Sequence, residues 1–276
     1  MLQLRHALPA LGAILCAGAG SLMASGAPAG AGARHDAPVD ALDVAGTVVV
    51  HAGFLSDVLG DTLELHVYLP PSYAASSSRR HPVLYALDGQ NLFDDALAAG
   101  GEEWTLDEIL ELEPAGIPEL LVVGVIAGPN AVRDLAPPGS TPGARGDLYL
   151  EFLAEELMPF IDESYRTRGD AVIMGHARSA VLSMYAIWRR PALFEAALAL
   201  DVPDVDATTT AWTQARPQGG RPWIWFEQVA AEKARPSTTE LLANLQRHAE
   251  VRFIISGAQA SRSARIVAAL RAAPLR

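Results

Sequence analysis

The sequence has almost no cysteine, because Cys16 is the only one in 276 residues. It lies in an N-terminal stretch that we predict to be removed, so the mature chain is expected to contain none. Disulfides, thiol catalysis and cysteine-based metal sites are therefore excluded for the mature chain. Other metal signatures are also missing, since there is no HExxH motif and the seven histidines are scattered. The sequence predicts no metal site and no cofactor.

Basic residues are scarce relative to acidic ones. The chain has 21 Lys and Arg against 32 Asp and Glu, which gives a formal net charge of -11. Such a surface disfavours binding to nucleic acids and to anionic membranes. The apolar run at the N-terminus is too short and too rich in small residues for a membrane anchor, so no stable membrane insertion is expected.

The N-terminal stretch has the composition of a secretory signal peptide. Arg5 is followed by the apolar run "ALPALGAILCAGAGSLMA" and then by small residues in "SGAPAGAGA". We predict a signal peptide at residues 1–29, a linker at 30–45 and one globular domain at 46–276. An exported protein, periplasmic or extracellular, is the expectation.

The rest of the chain alternates between segments typical of strands and segments typical of helices. The predicted strands lie at residues 47–54, 62–73, 81–89, 120–126, 170–175, 194–200, 222–228 and 251–257. The predicted helices lie at residues 103–116, 146–165, 180–191 and 237–249. This alternation predicts an α/β fold with a mostly parallel sheet covered by helices on both faces. His51 and His66 fall on the first two strands, where we expect them to be exposed.

Three polar segments follow predicted strands: "LDGQN" at 87–91, "GHARS" at 175–179 and "SGAQAS" at 256–261. Ligands of open parallel sheets bind at the carboxyl ends of the strands, so these segments are expected to form a site together. The second segment has the strand-turn-helix setting of a nucleophile elbow, which normally reads G-x-S-x-G. Here the central position is Ala177, and Ser179 stands in place of the closing glycine.

The chain also carries a series of segments that together resemble the "putative esterase" family of α/β-hydrolases, which includes esterase D-like enzymes, enterochelin esterases and feruloyl esterases. These segments are "VYLPPSY", "HPVLYALDGQNLFDD", "EWTLDEIL", "GVIAGPNAVRDLAP", "YLEFLAEELMPFIDESYRT" and "MGHARSAVLSMYAIWRRPALF". They occur in the family's order and at its spacing, between about residues 47 and 272. The resemblance implies the α/β-hydrolase fold and carboxylic-ester hydrolysis.

The resemblance also implies a catalytic triad in the order Ser, Asp or Glu, His, in which the imidazole takes the proton of the serine hydroxyl. The nucleophile position matches Ala177, and the histidine position in the last loop matches Ala260. The acid position falls within "EQVAAEK", where Glu232 is the best match. Two of the three triad positions thus carry a methyl group, which predicts a catalytically inactive member.

The oxyanion side is better preserved in this comparison. The resemblance implies that Gly89, Gln90 and Asn91 supply backbone N–H groups to an oxyanion hole. Arg133 matches a family position near the cleft, with a surface salt bridge as an equal alternative. Arg178, beside Ala177, is expected to line the pocket.

Three functions remain open from the sequence. The first is a silent esterase-like protein whose pocket binds a small acyl or glycosyl ligand or a protein partner. The second is an active hydrolase with a rearranged site that uses Ser179 with His176, or a serine from 256–263. The third is an interaction module whose pocket is filled by residues 201–222.

Overall fold

A single mixed sheet forms the centre of the structure. The computed structural model describes residues 37–38, 44–112, 114–205, 210–229, 236–257 and 260–275. In these residues nine strands are present: β1 Ala37–Pro38, β2 Thr47–Ser56, β3 Asp61–Leu69, β4 His81–Leu87, β5 Leu121–Val125, β6 Thr167–His176, β7 Ala196–Leu200, β8 Trp223–Val229 and β9 Glu250–Ser256. They pair in the order β1-β2-β3-β5-β4-β6-β7-β8-β9.

The sheet is antiparallel at one side and parallel over the rest. The pairs from β1 through β3 to β5 are antiparallel, whereas β5, β4, β6, β7, β8 and β9 are parallel neighbours. The registers pair His176 with Leu200 and Val229 with Ser256. The carboxyl ends of the parallel strands therefore lie along one edge, and the predicted α/β architecture with a mostly parallel sheet is confirmed.

Helices cover both faces of the sheet. The α-helices are α1 Ser72–Ala75, α2 Leu106–Glu111, α3 Ala131–Asp134, α4 Gly146–Phe152, α5 Met158–Ser164, α6 Arg178–Arg189, α7 Pro236–Gln246 and α8 Arg262–Ala272. A π-helical turn, Leu153–Leu157, joins α4 to α5, and short 3₁₀ turns lie at Gly89–Asn91 and Ala211–Gln214. Side chains of α4 to α7 pack on one face, and side chains of α2 and α8 pack on the other.

Because both faces are covered, the outer strands are more buried than their alternating pattern indicates. The prediction that His51 and His66 are exposed is wrong, since they are only 6% and 2% exposed. The His51 ring packs edge-on against Phe160, and its Nε2 lies 2.6 Å from the Tyr165 hydroxyl. In β3, Val67 and Tyr68 are both fully buried although they point to opposite faces.

The helix predicted at 103–116 is shorter than its periodicity indicates, because α2 spans only Leu106–Glu111. Thr105, which precedes it, has a φ of 50°, outside the right-handed helical region. The Trp104 N–H donates to the Asn91 carbonyl at 2.7 Å instead of entering a helical bond. The start of the helix is therefore set by contacts with the turn after β4.

The N-terminal predictions are only partly covered by the described residues. Within the predicted linker, β1 pairs with β2 through Ala37 and Val50. The predicted signal peptide lies outside the described residues. None of the helices in the described part of the chain combines the length and the apolarity needed to cross a membrane.

Candidate active site and ligand cavity

The tight turn between β6 and α6 has the backbone form of a nucleophile elbow. Ala177 occupies its apex with φ 53° and ψ -115°, a conformation that L-residues rarely adopt. Gly175 makes the turn feasible, because a Cβ at this position would lie 2.2 Å from the carbonyl oxygen of Ser179. The strained geometry is therefore present, but the apical side chain is a methyl group that cannot attack a carbonyl.

Ser179 is fully buried beneath the elbow and does not face a substrate. Its Oγ donates to Asp88 Oδ2 at 2.5 Å and accepts from the His176 backbone N–H at 2.9 Å. These bonds tie the elbow to the turn after β4, 91 residues earlier in the chain. The position that carries the closing glycine in the motif thus holds a structural hydroxyl, and the alternative nucleophile Ser179 lacks both solvent access and an imidazole partner.

The oxyanion side is formed by the turn after β4, where the predicted residues Gly89, Gln90 and Asn91 form a 3₁₀ turn. Gly89 packs so closely on β5 that a Cβ would lie 2.5 Å from the backbone carbon of Gly124. The Gln90 Oε1 accepts from the Ala127 N–H at 3.0 Å. This turn is fixed by backbone packing, and the Asp88–Ser179 bond places it beside the elbow.

Asp88 is the carboxylate at the centre of this arrangement. It has a φ of 60° and follows directly after β4. Burial raises the pKa of its carboxyl, while the hydrogen bonds from Ser179 and Gln90 oppose that rise. Asp88 therefore depends on the Ser179 hydroxyl as a donor.

His176 lies beside Ala177 but is directed toward a different set of groups. Its Nε2 is 3.5 Å from Asp201 Oδ2, and its ring packs on Trp104 with 5.1 Å between the centroids. Burial lowers the pKa of this imidazole to about 4; nearby Arg262 and Arg265 lower it further, while Asp201 opposes them. The ring has no serine partner among the described residues, so the Ser179 and His176 pairing is not assembled.

A buried ion pair occupies the edge where the acid and the histidine of a triad were expected. Glu227 on β8 is fully buried, and its Oε1 lies 3.6 Å from Nη1 of Arg265 on α8. The hydroxyl of Ser256, at the end of β9, donates to the same carboxylate oxygen. An arginine remains protonated at any ordinary pH and cannot accept a proton from a nucleophile. This pair can hold structure, but it cannot relay a proton.

The positions predicted for the histidine and the acid of the triad are Ala260 and Glu232, in the last two loops. Ala260 is exposed, and its N–H donates to the Gly257 carbonyl at 2.9 Å. Glu232, the predicted acid, lies outside the described residues. The other candidate serines have structural partners. Ser261 caps α8 by accepting from the Ala264 N–H, and the Ser263 hydroxyl lies 2.9 Å from that of Thr105, before α2. In the described part of this edge, no serine hydroxyl contacts an imidazole.

A cavity of about 860 Å³ opens directly onto the methyl group of Ala177. Its other lining residues come from the segment before α4, from the start of α6 and from the segment after β7. They are Leu135, Ala136, Pro137, Ser140, Thr141, Arg178, Val181, Pro203, Asp204 and Val205. Arg178 is among the lining residues, whereas Arg133 is not and instead donates to Asn130 Oδ1.

One of the three functions that the sequence leaves open requires residues 201–222 to fill this cavity. In its described residues this segment supplies one wall through Pro203, Asp204 and Val205 and leaves the cavity open. Trp212 packs against Trp188, well along α6, with 5.5 Å between the ring centroids. The cavity has the size of a small-molecule site, and its lining combines apolar and polar side chains.

Several residues at this edge escaped prediction from the sequence: Asp88, Trp104, Asp201, Glu227 and Arg265. Glu227 gave the clearest signal, because it stands in the otherwise apolar strand "PWIWFEQ". A carboxylate in a strand buried on both faces requires a donor or a cation. Its partner Arg265 could not be chosen among the arginines without the fold.

Comparisons with known proteins agree with this architecture. The model of the family described as "Putative esterase" matches residues 56–254. No curated protein sequence matches the chain.

Solved structures resemble the fold at low sequence identity. An IroE-like serine hydrolase from Shewanella oneidensis is 20% identical, with a TM-score of 0.61 over 81% of this chain and 79% of that one. A ferulic acid esterase is 18% identical, with a TM-score of 0.58 over 83% and 97%. The siderophore hydrolase EstA from Aspergillus nidulans is 16% identical, with a TM-score of 0.57 over 76% and 87%. Identities this low establish the fold alone.

The family match covers most of the chain, and it spans the elbow, the oxyanion turn and the cavity. The resemblance inferred from the sequence motifs is therefore confirmed. This chain belongs to the putative esterase family and has its α/β-hydrolase fold.

Proposed function

We propose that this protein is a catalytically silent member of the esterase family that binds a small molecule in the cavity next to Ala177. The observation that carries the proposal is the methyl group of Ala177 at the apex of a strained elbow, facing a cavity of about 860 Å³. The nearest hydroxyl along the chain, that of Ser179, is buried and bonded to Asp88. Loss of the serine or histidine from a working serine-protease triad lowers turnover about a million-fold, so hydrolysis is expected at background.

The lining of the cavity indicates the kind of ligand. The apolar walls come from Leu135, Pro137, Val181 and Val205. The charged lining residues are the exposed Arg178, beside Ala177, and Asp204. A molecule with an apolar acyl or aryl body and a polar end suits this surface. A structural relative described as a ferulic acid esterase suggests aromatic acyl compounds as the first probes.

Catalytic silence is tested by covalent labelling with a fluorophosphonate probe and by turnover of p-nitrophenyl acetate. The purified protein is expected to give neither label nor turnover above background, while an active family esterase serves as the positive control. Labelling that disappears in a Ser179→Ala variant would establish the alternative, a hydrolase with a rearranged site.

Ligand binding is tested separately by calorimetry with aromatic carboxylic acids and their esters. A Thr141→Trp variant fills part of the cavity and is expected to abolish binding. The Ser77→Trp variant places the same side chain on an exposed loop and is the matched control. Equal affinity in both variants would show that the ligand binds elsewhere, and an absence of ligands would favour a protein partner.

We further propose export, because residues 1–29 have the composition of a signal peptide. Expression of the full chain in a Gram-negative host, followed by N-terminal sequencing of the periplasmic protein, tests this. A mature start between about residues 25 and 34 is expected. An intact Met1 in cytosolic protein would contradict export.

A further inference from the structure

Three carboxylates face one another at the start of α2, outside the elbow and the cavity. They belong to Glu103, Asp107 and Glu108, and one oxygen from each lies within 4.8 Å of the other two. Asp107 is fully buried, with 0% of its side chain exposed. Each of the three residues has one oxygen shielded from solvent and without a hydrogen-bond partner: Glu103 Oε2, Asp107 Oδ1 and Glu108 Oε2.

The surroundings of Asp107 leave one of its oxygens available. Its Oδ2 accepts from the Ala45 N–H at 2.6 Å, which fixes the carboxylate plane. The other oxygen, Oδ1, is buried and has no hydrogen-bond donor among the residues that the structure describes. An unsatisfied carboxylate oxygen in a protein interior is costly, so an oxygen in this position indicates a missing donor or cation.

No basic side chain neutralises the cluster within the described residues, because none of the ion pairs found there includes Glu103, Asp107 or Glu108. Three carboxylates with oxygens this close together and without a basic partner there favour a positive ion between them.

We propose that Glu103, Asp107 and Glu108 bind one Ca²⁺ ion. Ca²⁺ prefers oxygen ligands at 2.3–2.6 Å, and oxygens bound to one such ion lie no more than about 5 Å apart. The separations of the three carboxylate oxygens satisfy this limit. Three carboxylates supply charge and hard ligands, and water completes the irregular coordination that Ca²⁺ tolerates and Mg²⁺ disfavours.

The site would stabilise the segment that covers the elbow. Trp104 follows Glu103 directly and packs on His176. Thr105 contacts Ser263 at the start of α8, and the Glu103 N–H donates to Asp95 Oδ1 at 2.8 Å. An ion that joins Glu103 to the first turn of α2 therefore ties both ends of residues 103–108 and holds Trp104 in place.

Terbium luminescence provides a direct test on the whole protein. Tb³⁺ is a luminescent substitute for Ca²⁺, and the Trp104 indole next to the site is expected to sensitise its emission in protein stripped with EDTA. Added Ca²⁺ should displace Tb³⁺ and reduce the emission. A Trp104→Phe variant should lose the sensitised emission but keep Ca²⁺ binding by calorimetry.

Variants with one charge removed localise the site. Asp107→Asn and Glu103→Gln are expected to weaken Ca²⁺ binding about tenfold or more, because each removes a charged ligand. Glu102→Gln, an exposed neighbour with the same change in charge, should leave the affinity unchanged. If Asp107→Asn does not fold, Glu108→Gln provides the same test at a residue that is not fully buried.

Thermal unfolding gives an independent readout. Saturating Ca²⁺ should raise the Tm of the stripped wild-type protein by roughly 5 °C, and this rise should be lost in Glu103→Gln. The proposal is overturned if millimolar Ca²⁺ neither binds nor shifts the Tm, or if the Glu102→Gln and Glu103→Gln variants bind equally well. Tight binding of Zn²⁺ or Mg²⁺ in place of Ca²⁺ would overturn the identity of the ion.

Discussion

The two sides of the elbow differ in what has been retained. On the oxyanion side, the turn after β4 is held by backbone packing of Gly89 on Gly124 and by the Asp88–Ser179 bond. On the relay side, at the ends of β8 and β9, the groups in place are Glu227, Ser256 and Arg265. Geometry that the fold itself needs is present on the first side, whereas the second side holds an ion pair unable to carry a proton.

The largest expected effect comes from breaking the ion pair on the relay side. Arg265→Met leaves the Glu227 carboxylate buried without its cation, which should lower the free energy of unfolding by about 3–5 kcal/mol. Urea denaturation measures this change. Arg252→Met is the matched control, because Arg252 and its partner Glu250 are 64% and 57% exposed and 3.9 Å apart, so its effect should be below about 0.5 kcal/mol.

A double variant sharpens this result. Glu227→Gln with Arg265→Met removes both charges and should recover much of the loss, since the remaining amide can still bond to Ser256. If the single and double variants are equally unstable, the effect of Arg265 comes from its packing and the ion pair is not the structural element that we describe.

On the oxyanion side, Ser179→Ala tests whether the hydroxyl is structural. The change removes the donor to Asp88 Oδ2, so the buried carboxyl loses a bond and the fold should be destabilised by about 1–3 kcal/mol. Ser183→Ala controls for the loss of a buried hydroxyl, because Ser183 Oγ donates only to the Ala180 carbonyl within α6. Equal effects for the two variants would argue against a specific link between the elbow and the turn after β4.

His176 lies between the two sides and allows a test by pH. Its pKa in the folded protein is about 4, below the value of about 6.5 expected after unfolding. Between these two pH values His176 is protonated in the unfolded chain but neutral in the folded protein. The free energy of unfolding therefore falls as the pH falls. The wild-type protein should lose roughly 1–3 kcal/mol relative to His176→Gln between pH 7 and pH 4.

Urea unfolding at both pH values checks this prediction, with His248→Gln as a control for the loss of a histidine elsewhere. NMR of the wild-type imidazole should show the neutral form at pH 5. A titration of His176 near pH 6.5 would contradict this prediction. It would show that solvation of the ring and its pairing with Asp201 cancel the effect of burial on the pKa.

The sequence was sufficient to predict the architecture and the tight turn at which Ala177 stands. Both follow from local signals: alternating segments predict the strands and helices, and the short motif "GHARS" places an alanine where the elbow needs a serine. The α/β fold, the family and the edge at which the site lies could all be reached in this way.

The sequence could not predict contacts between distant side chains. The partners Ser179 and Asp88 are 91 residues apart, and nothing in either segment identifies the other. His51 and His66 were predicted to be exposed, because alternation in a strand does not reveal that a second layer covers its polar face. The carboxylates of Glu103 and Asp107 look like ordinary surface charges in the sequence, and only the fold buries them together.

The smallest expected effect concerns the apex of the elbow. There the substitution should raise the free energy of unfolding, whereas the other substitutions lower it. Ala177 has φ 53° and ψ -115°, which glycine adopts without steric cost, so Ala177→Gly should stabilise the fold or leave it unchanged, by up to about 1 kcal/mol. Ala180→Gly, in the first turn of α6, is the control and should destabilise the fold by about 0.5–1 kcal/mol. Both values are obtained from urea denaturation. A loss of stability in Ala177→Gly as large as that in Ala180→Gly would mean that the elbow is not strained. A strained backbone at Ala177 could then no longer be used to distinguish the side formed by the turn after β4 from the side formed by the ends of β8 and β9.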